Sequence, residues 1–526
     1  MNIFLFTRDL RIPDNTGLLE CLRDSTRPLL CVFCFDPAQV GGDDRNPYRS
    51  DNAIDFMIES LEDLESEFKE TFPGSGSGSR LRFLSGNKAE CIESVIKYAN
   101  KDSGSGGGVV HMSAGFTPFE VKTESSLREV CKKYPGWSLQ THEDFLLWDG
   151  ARDTTPSSGK MFTRYTPFMR TAFQHSKEWR KPADIPRGIA SRITFAFPRV
   201  KLPGESSLKD IREKLTQGGG RRVSPARIVR GGRRSALERI AYLKREHRLD
   251  RYTQTRNDLA GETSLLSAYH KFGCVSPRET HHFFGGKKYK GFTQELLWRD
   301  YAYHRIANWN QEDSITEIGK HIQWSNPVPG SGSALFKAWK EGTTGVPIVD
   351  AGMRQLLQEG YIHNRARMVV AQYLIKVLQV DWRLGEKHFA QWLTDYDWSV
   401  NFMNWILISA IMPTEQVSRY MNPYIQMRKF DPDLVYVQKY IPELASFRGT
   451  HQELRKLLLD DSRTTDIKLS GKPPYPKPIV PFQSAIKSYR KWAGGYLKRT
   501  RKQSFKKTDK TDKKTRKKVS MKIFPF

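Results

Sequence analysis

The sequence is poor in cysteine and acid, has no long apolar run, and carries no glycine in the turn after its first strand-like segment. Six of 526 residues are cysteine (Cys21, Cys31, Cys34, Cys91, Cys131, Cys274). They are too few and too scattered to staple a chain of this length, so a disulfide framework is excluded and a reducing compartment is expected. Cys31-Val-Phe-Cys34 has redox or metal spacing, but it lies inside the apolar run Leu29 to Phe35 with no second Cys/His pair. It reads as a buried strand, and no metal site is expected. No stretch approaches the ~18 uncharged apolar residues of a membrane span, so a soluble chain with no membrane partner is expected, and it is read as monomeric. No signal peptide is recognisable. The turn Thr7 to Asn15 lacks glycine, which excludes a dinucleotide fingerprint or P-loop there. Acids are outnumbered, 85 Lys and Arg to 58 Asp and Glu, and the net charge of +27 points toward a polyanion such as nucleic acid.

What is present divides the chain. Short apolar runs at Asn2 to Phe6, Pro28 to Phe35, Leu81 to Ser85, Val109 to Met112 and Ser138 to His142 alternate with helical patterns such as Ala53 to Phe68 and Ala89 to Tyr98. This alternation predicts a five-stranded parallel sheet covered by helices, a Rossmann-like α/β domain over 1–148. Gly74 to Ser79 and Ser103 to Gly108 read as surface loops. Residues 149–220 are irregular and rich in Pro and Arg, an interdomain connection. From 221 to 492 the period is helical, with Ser235 to His247, Glu295 to Ala307, Ile348 to Gln358, Asn364 to Leu378 and Trp398 to Met412 as the main segments, so a large all-α domain is expected. Residues 493–526 are lysine-rich and read as a disordered basic tail.

Four clusters in the helical part are hard to explain as core. Thr263-Ser264-Leu265-Leu266-Ser267 opens a helical stretch, where hydroxyls and free N–H groups suit a phosphate or an ordinary helix cap. In Glu295-Leu296-Leu297-Trp298-Arg299-Asp300, Glu295 and Trp298 share a face, which suits a stacked and hydrogen-bonded base or a half-buried amphipathic helix. Asn364, Arg367 and Met368 fall at i, i+3 and i+4. A buried Arg needs a carboxylate, and Asp395-Tyr396-Asp397 offers one. Asp397, Asn401 and Trp405 then form a polar-to-aromatic stripe on an apolar helix. Unpaired buried Asp or Asn loses ~1–3 kcal/mol in desolvation, so such a stripe fits a planar ligand rich in heteroatoms. Ser276-Pro277-Arg278-Glu279, by contrast, is a capping box with Pro in the first turn and needs no function.

In this order the clusters resemble the photolyase/cryptochrome family. Its amino-terminal pattern is matched by Phe6-Thr7-Arg8-Asp9-Leu10-Arg11 with Asp14-Asn15, and its flavin-phosphate pattern by Thr263 to Ser267 with Gly273 and Ser276 to Arg278. Glu295 to Asp300, Gly345 to Arg354, His363 to Met368, Asp395 to Trp405 and Tyr440 to Leu444 complete the match, which runs from about residue 2 to about Trp492. The resemblance implies an antenna domain joined to a helical domain holding FAD. Tyr252 and Thr263, Ser264, Leu265, Leu266 and Ser267 would hold its ribityl and phosphate groups, and Asp395, Tyr396, Asp397 and Asn401 would face its ring, with Arg367 paired to Asp395. Trp324, Trp382 and Trp405 match the family's electron-transfer tryptophans. Arg256, Glu295, Trp298, Asn364, Arg365 and Met368 would contact DNA and its lesion.

Members that repair (6-4) photoproducts carry histidine where this sequence has Asn364 and Met368, so the resemblance is closest to cyclobutane pyrimidine dimer photolyases. Leu407, Met403, Asn404 and Tyr361 depart from the usual dimer-repair pattern, and Asn404-Trp405 is similar to DASH-type cryptochromes, which favour single-stranded DNA. A blue-light photoreceptor that signals is the alternative. From Lys487 to Phe526 sixteen Lys or Arg face two Asp, a balance of 16 − 2 = +14, leaving 27 − 14 = +13 elsewhere. The tail clusters read as a nuclear address, a DNA tether or a solvated end, with a nuclear address favoured. An antenna chromophore, folate or deazaflavin, is compatible with the first domain, whose sequence shows no motif that identifies it.

Overall fold

Five short runs rich in Phe, Val, Leu and Ile form the strands β1 (Asn2–Phe6), β2 (Leu29–Phe35), β3 (Leu81–Ser85), β4 (Gly108–Ser113) and β5 (Trp137–His142). They make one parallel sheet in the order β3-β2-β1-β4-β5, with Phe4 opposite Cys31 on one side and His111 on the other. The runs are continuously apolar because both faces are covered. Alternation sends Phe4, Phe6, Cys31, Phe33 and Phe35 into one core with the helix Asp51–Thr71, and Ile3, Leu5, Leu30, Val32 and Cys34 into a second core with the helices Lys88–Asp102 and Pro118–Lys133. All six cysteines are buried free thiols, and Cys31 and Cys34 lie in a buried strand as expected.

The computed structural model describes residues 1–42, 46–73, 80–102, 106–152, 161–197, 200–217, 221–307, 333–409 and 420–493. Trp324, the expected loops at 74–79 and 103–105, the end of the helix expected to reach Met412, and the tail beyond Ala493 lie outside the described residues. The chain packs into two compact units. One comprises Met1–Glu312, Gln355–Ile362 and Glu386–Met403, and the other Asp313–Arg354, His363–Gly385 and Asn404–Phe526.

Three elements differ from the sequence reading. The stretch read as irregular contains the helices Tyr165–Gln174 and Leu208–Thr216, which are too short for a sustained apolar period. The helix expected to run from Asn364 to Leu378 is α-helical only to Gln372 and then widens into a π-turn over Tyr373–Val377. The second unit also holds a hairpin, β6 (Ile467–Leu469) and β7 (Lys472–Tyr475), masked in the sequence because β7 contains two prolines, tolerated only on an edge. The capping box at Ser276 and Glu279 forms as read, with Pro277 at its first turn.

In sheets of this kind the strand order reverses between β1 and β4, and the crevice at their carboxyl ends commonly takes a ligand. Here the loop leaving β1 packs against the first unit's own chain. The loop leaving β1 carries Arg8 and Arg11, 5% and 1% exposed. Arg11 pairs with Asp144 at 2.6 Å, and Arg278 pairs with Asp14 and with Asp144, both at 3.0 Å. The Leu10 N–H donates to the Phe272 carbonyl at 3.0 Å. Gly273 sits at φ = 65°, and a Cβ there would stand 2.4 Å from the Arg8 carbonyl oxygen. Only glycine admits that approach.

Burial pushes the Asp144 carboxyl up, but Arg11, Arg278 and the Thr16 N–H outweigh it and hold it well below the usual carboxylate range. Its stabilisation is therefore present above the unfolded pKa near 4 and is lost as pH falls below it. Asp144→Asn is expected to cost about 3–5 kcal/mol at pH 7, because it leaves two buried guanidinium groups short of charge, and to flatten the acid limb of stability. Urea unfolding at pH 7 measures the first effect, and its comparison with unfolding at pH 3 and below measures the second.

Candidate functional site

In the first unit the turn before the helix Ser267–Phe272 places Leu265 at φ = 56°, a left-handed conformation rare for a side chain of its bulk. Arg239 holds the turn by donating to the carbonyls of Thr263 and Ser264 at 2.6 and 2.9 Å. The Thr263 hydroxyl shares a hydrogen bond with the Tyr361 phenol at 2.9 Å, and Ser267 donates to Asp395 Oδ2 at 2.6 Å. Among the described residues the backbone N–H groups of Ser264 and Leu265 have no acceptor. Open N–H groups around a left-handed residue form a concavity suited to an anion, which fits the phosphate role expected of Thr263 to Ser267.

Asp395, Asp397 and Asn401 are all buried, and two carboxyls in this region meet opposite electrostatics. Asp397 accepts from Arg8 at 3.2 Å and from the Tyr303 hydroxyl, while Arg8 also pairs with Glu120 at 2.9 Å. Burial raises Asp397, but Arg8, Lys271 and Arg299 prevail and hold it below its ordinary value. Glu386, on the helix Trp382–Trp392, accepts from Asn401 Nδ2 at 3.0 Å and from the Tyr396 hydroxyl at 3.1 Å. Burial pushes it up to about 7, although both hydrogen bonds pull it down. Sequence reasoning missed Glu386, because a Glu in an amphipathic helix reads as surface.

The remaining candidates of this unit gather around the helix Lys290–Ala307. Arg256 forms an ion pair with Glu295, whose carboxyl is raised by burial against the pull of Arg256. Tyr252 lies edge-on to Phe292 at 5.3 Å. Trp298 is 39% exposed.

The second unit carries the others. His363 caps the helix Asn364–Gln372, its Nδ1 accepting from the Arg365 N–H at 3.0 Å. Asn364 is exposed, Arg367 and Met368 are half-buried, and the Arg365 guanidinium lies 4.7 Å over the Phe430 ring. Trp382 and Trp405 are each 2% exposed. Trp405 meets the buried Trp339 at 6.5 Å in a T-shaped pair, and Trp339 Nε1 donates to the Val370 carbonyl at 2.9 Å. Trp339 was not among the sequence candidates, since a Trp on an amphipathic helix reads as core. A Cβ at Gly385 would stand 2.4 Å from the Trp405 ring, so this glycine sets how closely the Trp382 helix approaches it.

Comparison with known proteins places the chain in a family. Residues 2–187 fit the model described as DNA photolyase, and residues 292–493 fit that of the FAD binding domain of DNA photolyase. A deoxyribodipyrimidine photo-lyase of Streptomyces griseus is 30% identical over 492 residues, covering 92% of this chain and 97% of that one. A cryptochrome DASH of Xenopus laevis is 29% identical over 503 residues, covering 91% and 89%. A solved archaeal photolyase from Sulfolobus tokodaii, described as holding two FAD molecules and implicating a novel light-harvesting cofactor, aligns with TM-score 0.73 at 31% identity, covering 94% and 100%. An α/β sheet followed by a helical FAD-binding region defines a flavoprotein. The chain belongs to the photolyase/cryptochrome family. Among the described residues no helix is long and apolar enough to cross a membrane, and no three His, Cys, Asp or Glu side chains are grouped to hold a metal.

Two outcomes follow from the site. Because the folded pKa of Glu386 lies above its ordinary value, its contribution to stability is present below about pH 4.5 and lost as pH rises through about 7. Glu386→Gln keeps an acceptor for Asn401 and Tyr396 without the charge, and should be more stable than the parent at pH 8 by on the order of 3 kcal/mol while matching it at pH 4, as followed by thermal melting. Gly385→Ala should overpack Trp405, lowering stability by about 1–3 kcal/mol, as read from urea unfolding curves.

Proposed function

We propose that this chain repairs cyclobutane pyrimidine dimers in DNA under blue light. FAD, bound in its reduced form, would supply light-driven electron-transfer chemistry there. The protein's own work is to bind, orient and exclude water. The turn Thr263 to Ser267, with Tyr252, would hold the ribityl and phosphate groups, and Asp395, Tyr396, Asp397, Asn401 and Arg367 would set the electrostatics at the ring. Arg256 and Arg365 would neutralise phosphates, while Glu295, Trp298, Asn364 and Met368 would receive the flipped pyrimidines. Trp324, Trp382 and Trp405 would restore the reduced flavin. The boundaries 1–148, 149–220, 221–492 and 493–526 would then separate antenna, connection, catalytic region and tail.

One observation carries the choice of lesion. Dimer splitting requires no proton donor, and the histidine beside the lesion helix is unfit to be one. His363 is 3% exposed, its Nδ1 is committed to the Arg365 N–H, and burial, aided by Arg365 and Arg367, pushes it down to about 4. At neutral pH it is uncharged, and the helix offers Asn364 and Met368 instead.

A second reading, a signalling cryptochrome or a DASH-type protein acting on single strands, is favoured by Leu407 in place of a second lesion-facing aromatic and by the similarity to cryptochrome DASH. The net charge of +27 weighs toward repair, since lesion binding needs neutralised phosphates and a light sensor does not, and the tail is read as a nuclear address. Reduced holoprotein incubated with dimer-containing oligonucleotides, single- and double-stranded, in light and in dark, decides the matter. Loss of dimers only in light is expected, with (6-4) lesions left intact. No repair in light on either substrate would leave the signalling reading in its place.

A further inference from the structure

Trp298 is the candidate base-stacking residue, and the structure shows what lies behind it. Tyr165, on the helix Tyr165–Gln174, stacks on the indole with ring centroids 3.5 Å apart and planes 10° from parallel. The Tyr165 hydroxyl donates to the Gln294 carbonyl at 2.7 Å, one turn before Trp298 on the same helix. Tyr301 closes the group, edge-on to both rings at 5.8 Å. One face of the indole is therefore covered by Tyr165, while Trp298 as a whole remains 39% exposed.

We infer that Tyr165 is a positioning residue for the lesion, fixing the Trp298 indole so that a single flat face is presented to a flipped pyrimidine. The inference rests on the proposed repair reading, in which Trp298 is the stacking surface. A lone Trp on a helix swings about χ1 and χ2, and a base that stacks on it must first arrest that motion. A ring already sandwiched on its far side has lost that freedom before the base arrives. The phenol bond adds direction, since it ties the stacking ring to the backbone that carries the indole. Leu407 stands where a second lesion-facing aromatic is usual, so more of the stacking falls on Trp298 and its alignment matters correspondingly more. The role is assigned to Tyr165 and not to Tyr301 because Tyr301 is buried at 2% exposed and its ring is tilted 78° from the indole, leaving no parallel face against it.

The test uses flavin-loaded full-length protein and matched oligonucleotides with and without a cyclobutane dimer. Tyr165→Ala should weaken dimer binding about tenfold, the scale of a lost stacking contribution. Its affinity for the undamaged strand, its flavin content and its repair rate at saturating substrate should stay near the parent values. Tyr165→Phe keeps the ring and should recover most of the affinity. If alanine costs the chain its flavin, Tyr165→Leu, which fills the space without a flat face, decides on the same measurements. Parent-like dimer affinity in the alanine variant overturns the inference, as does equal weakening on damaged and undamaged strands, which marks a general loss of DNA contact. A parent protein that shows no light-driven repair removes the repair reading itself, whereas a repairing parent with an indifferent alanine variant removes only the role of Tyr165.

Discussion

The loop leaving β1 is held by charges that have no access to water, and the positions of the site residues in the first unit follow from it. Arg8 and Arg11 are separated by two residues yet face different carboxylates. Arg11 joins Asp144 and, through it, Arg278, while Arg8 joins Glu120 and Asp397. A buried guanidinium without a partner is strongly unfavourable, so each pair tolerates only one arrangement of the segments that supply it. Asp397 is thereby tied to the sheet. Two residues earlier Asp395 takes the Ser267 hydroxyl, and the turn ending at Ser267 carries the open N–H groups. Sheet, the turn Thr263 to Ser267 and the carboxylate cluster are one connected polar network, against which Gly273 lies close to the Arg8 backbone.

The same region holds two carboxyls in contrasting states. Asp397, among Arg8, Lys271 and Arg299, remains ionised, whereas Glu386, with only an amide and a phenol for company, is pushed up to about 7. Burial is common to both, so the presence of cations decides. Asn401 is bonded to the one of the two that changes charge near neutral pH, and the orientation of its amide is therefore coupled to a titration. That coupling lies within the protein and requires no ligand to establish it.

Much of the fold could be read in advance, because its signals are local. Runs apolar at every position mark strands buried on two faces, and Ser276-Pro277-Arg278-Glu279 states its own helix start. The order of the polar clusters pointed to the family later matched by residues 2–187 and 292–493. What escaped is non-local. Glu386 looks like any surface Glu until Asn401 and Tyr396 fold onto it, and Tyr165 gains meaning only from a helix whose nearest bonded residue, Gln294, is 129 positions away. Trp339 is the same case, since nothing near it in sequence foretells Trp405. The hairpin failed for a different reason, because two prolines in a row outweigh any strand signal.

The ion pairs also differ in a way that matters if DNA is the partner. Arg8 and Asp397 have side chains only 6% and 7% exposed, whereas those of Arg256 and Glu295 are 37% and 28% exposed. Water screens the second pair, which places it near the modest end of measured ion pairs, within about 1 kcal/mol. A phosphate approaching Arg256 and a pyrimidine edge approaching Glu295 would each replace a bond of that small size, so the exchange is nearly free. Breaking the Arg8 pair would strand a buried charge and has no such substitute. On the repair reading, the chain keeps its rigid charges beside the cofactor and its exchangeable ones beside the nucleic acid, so lesion capture can rearrange Arg256 and Glu295 without disturbing the carboxylates that face the flavin.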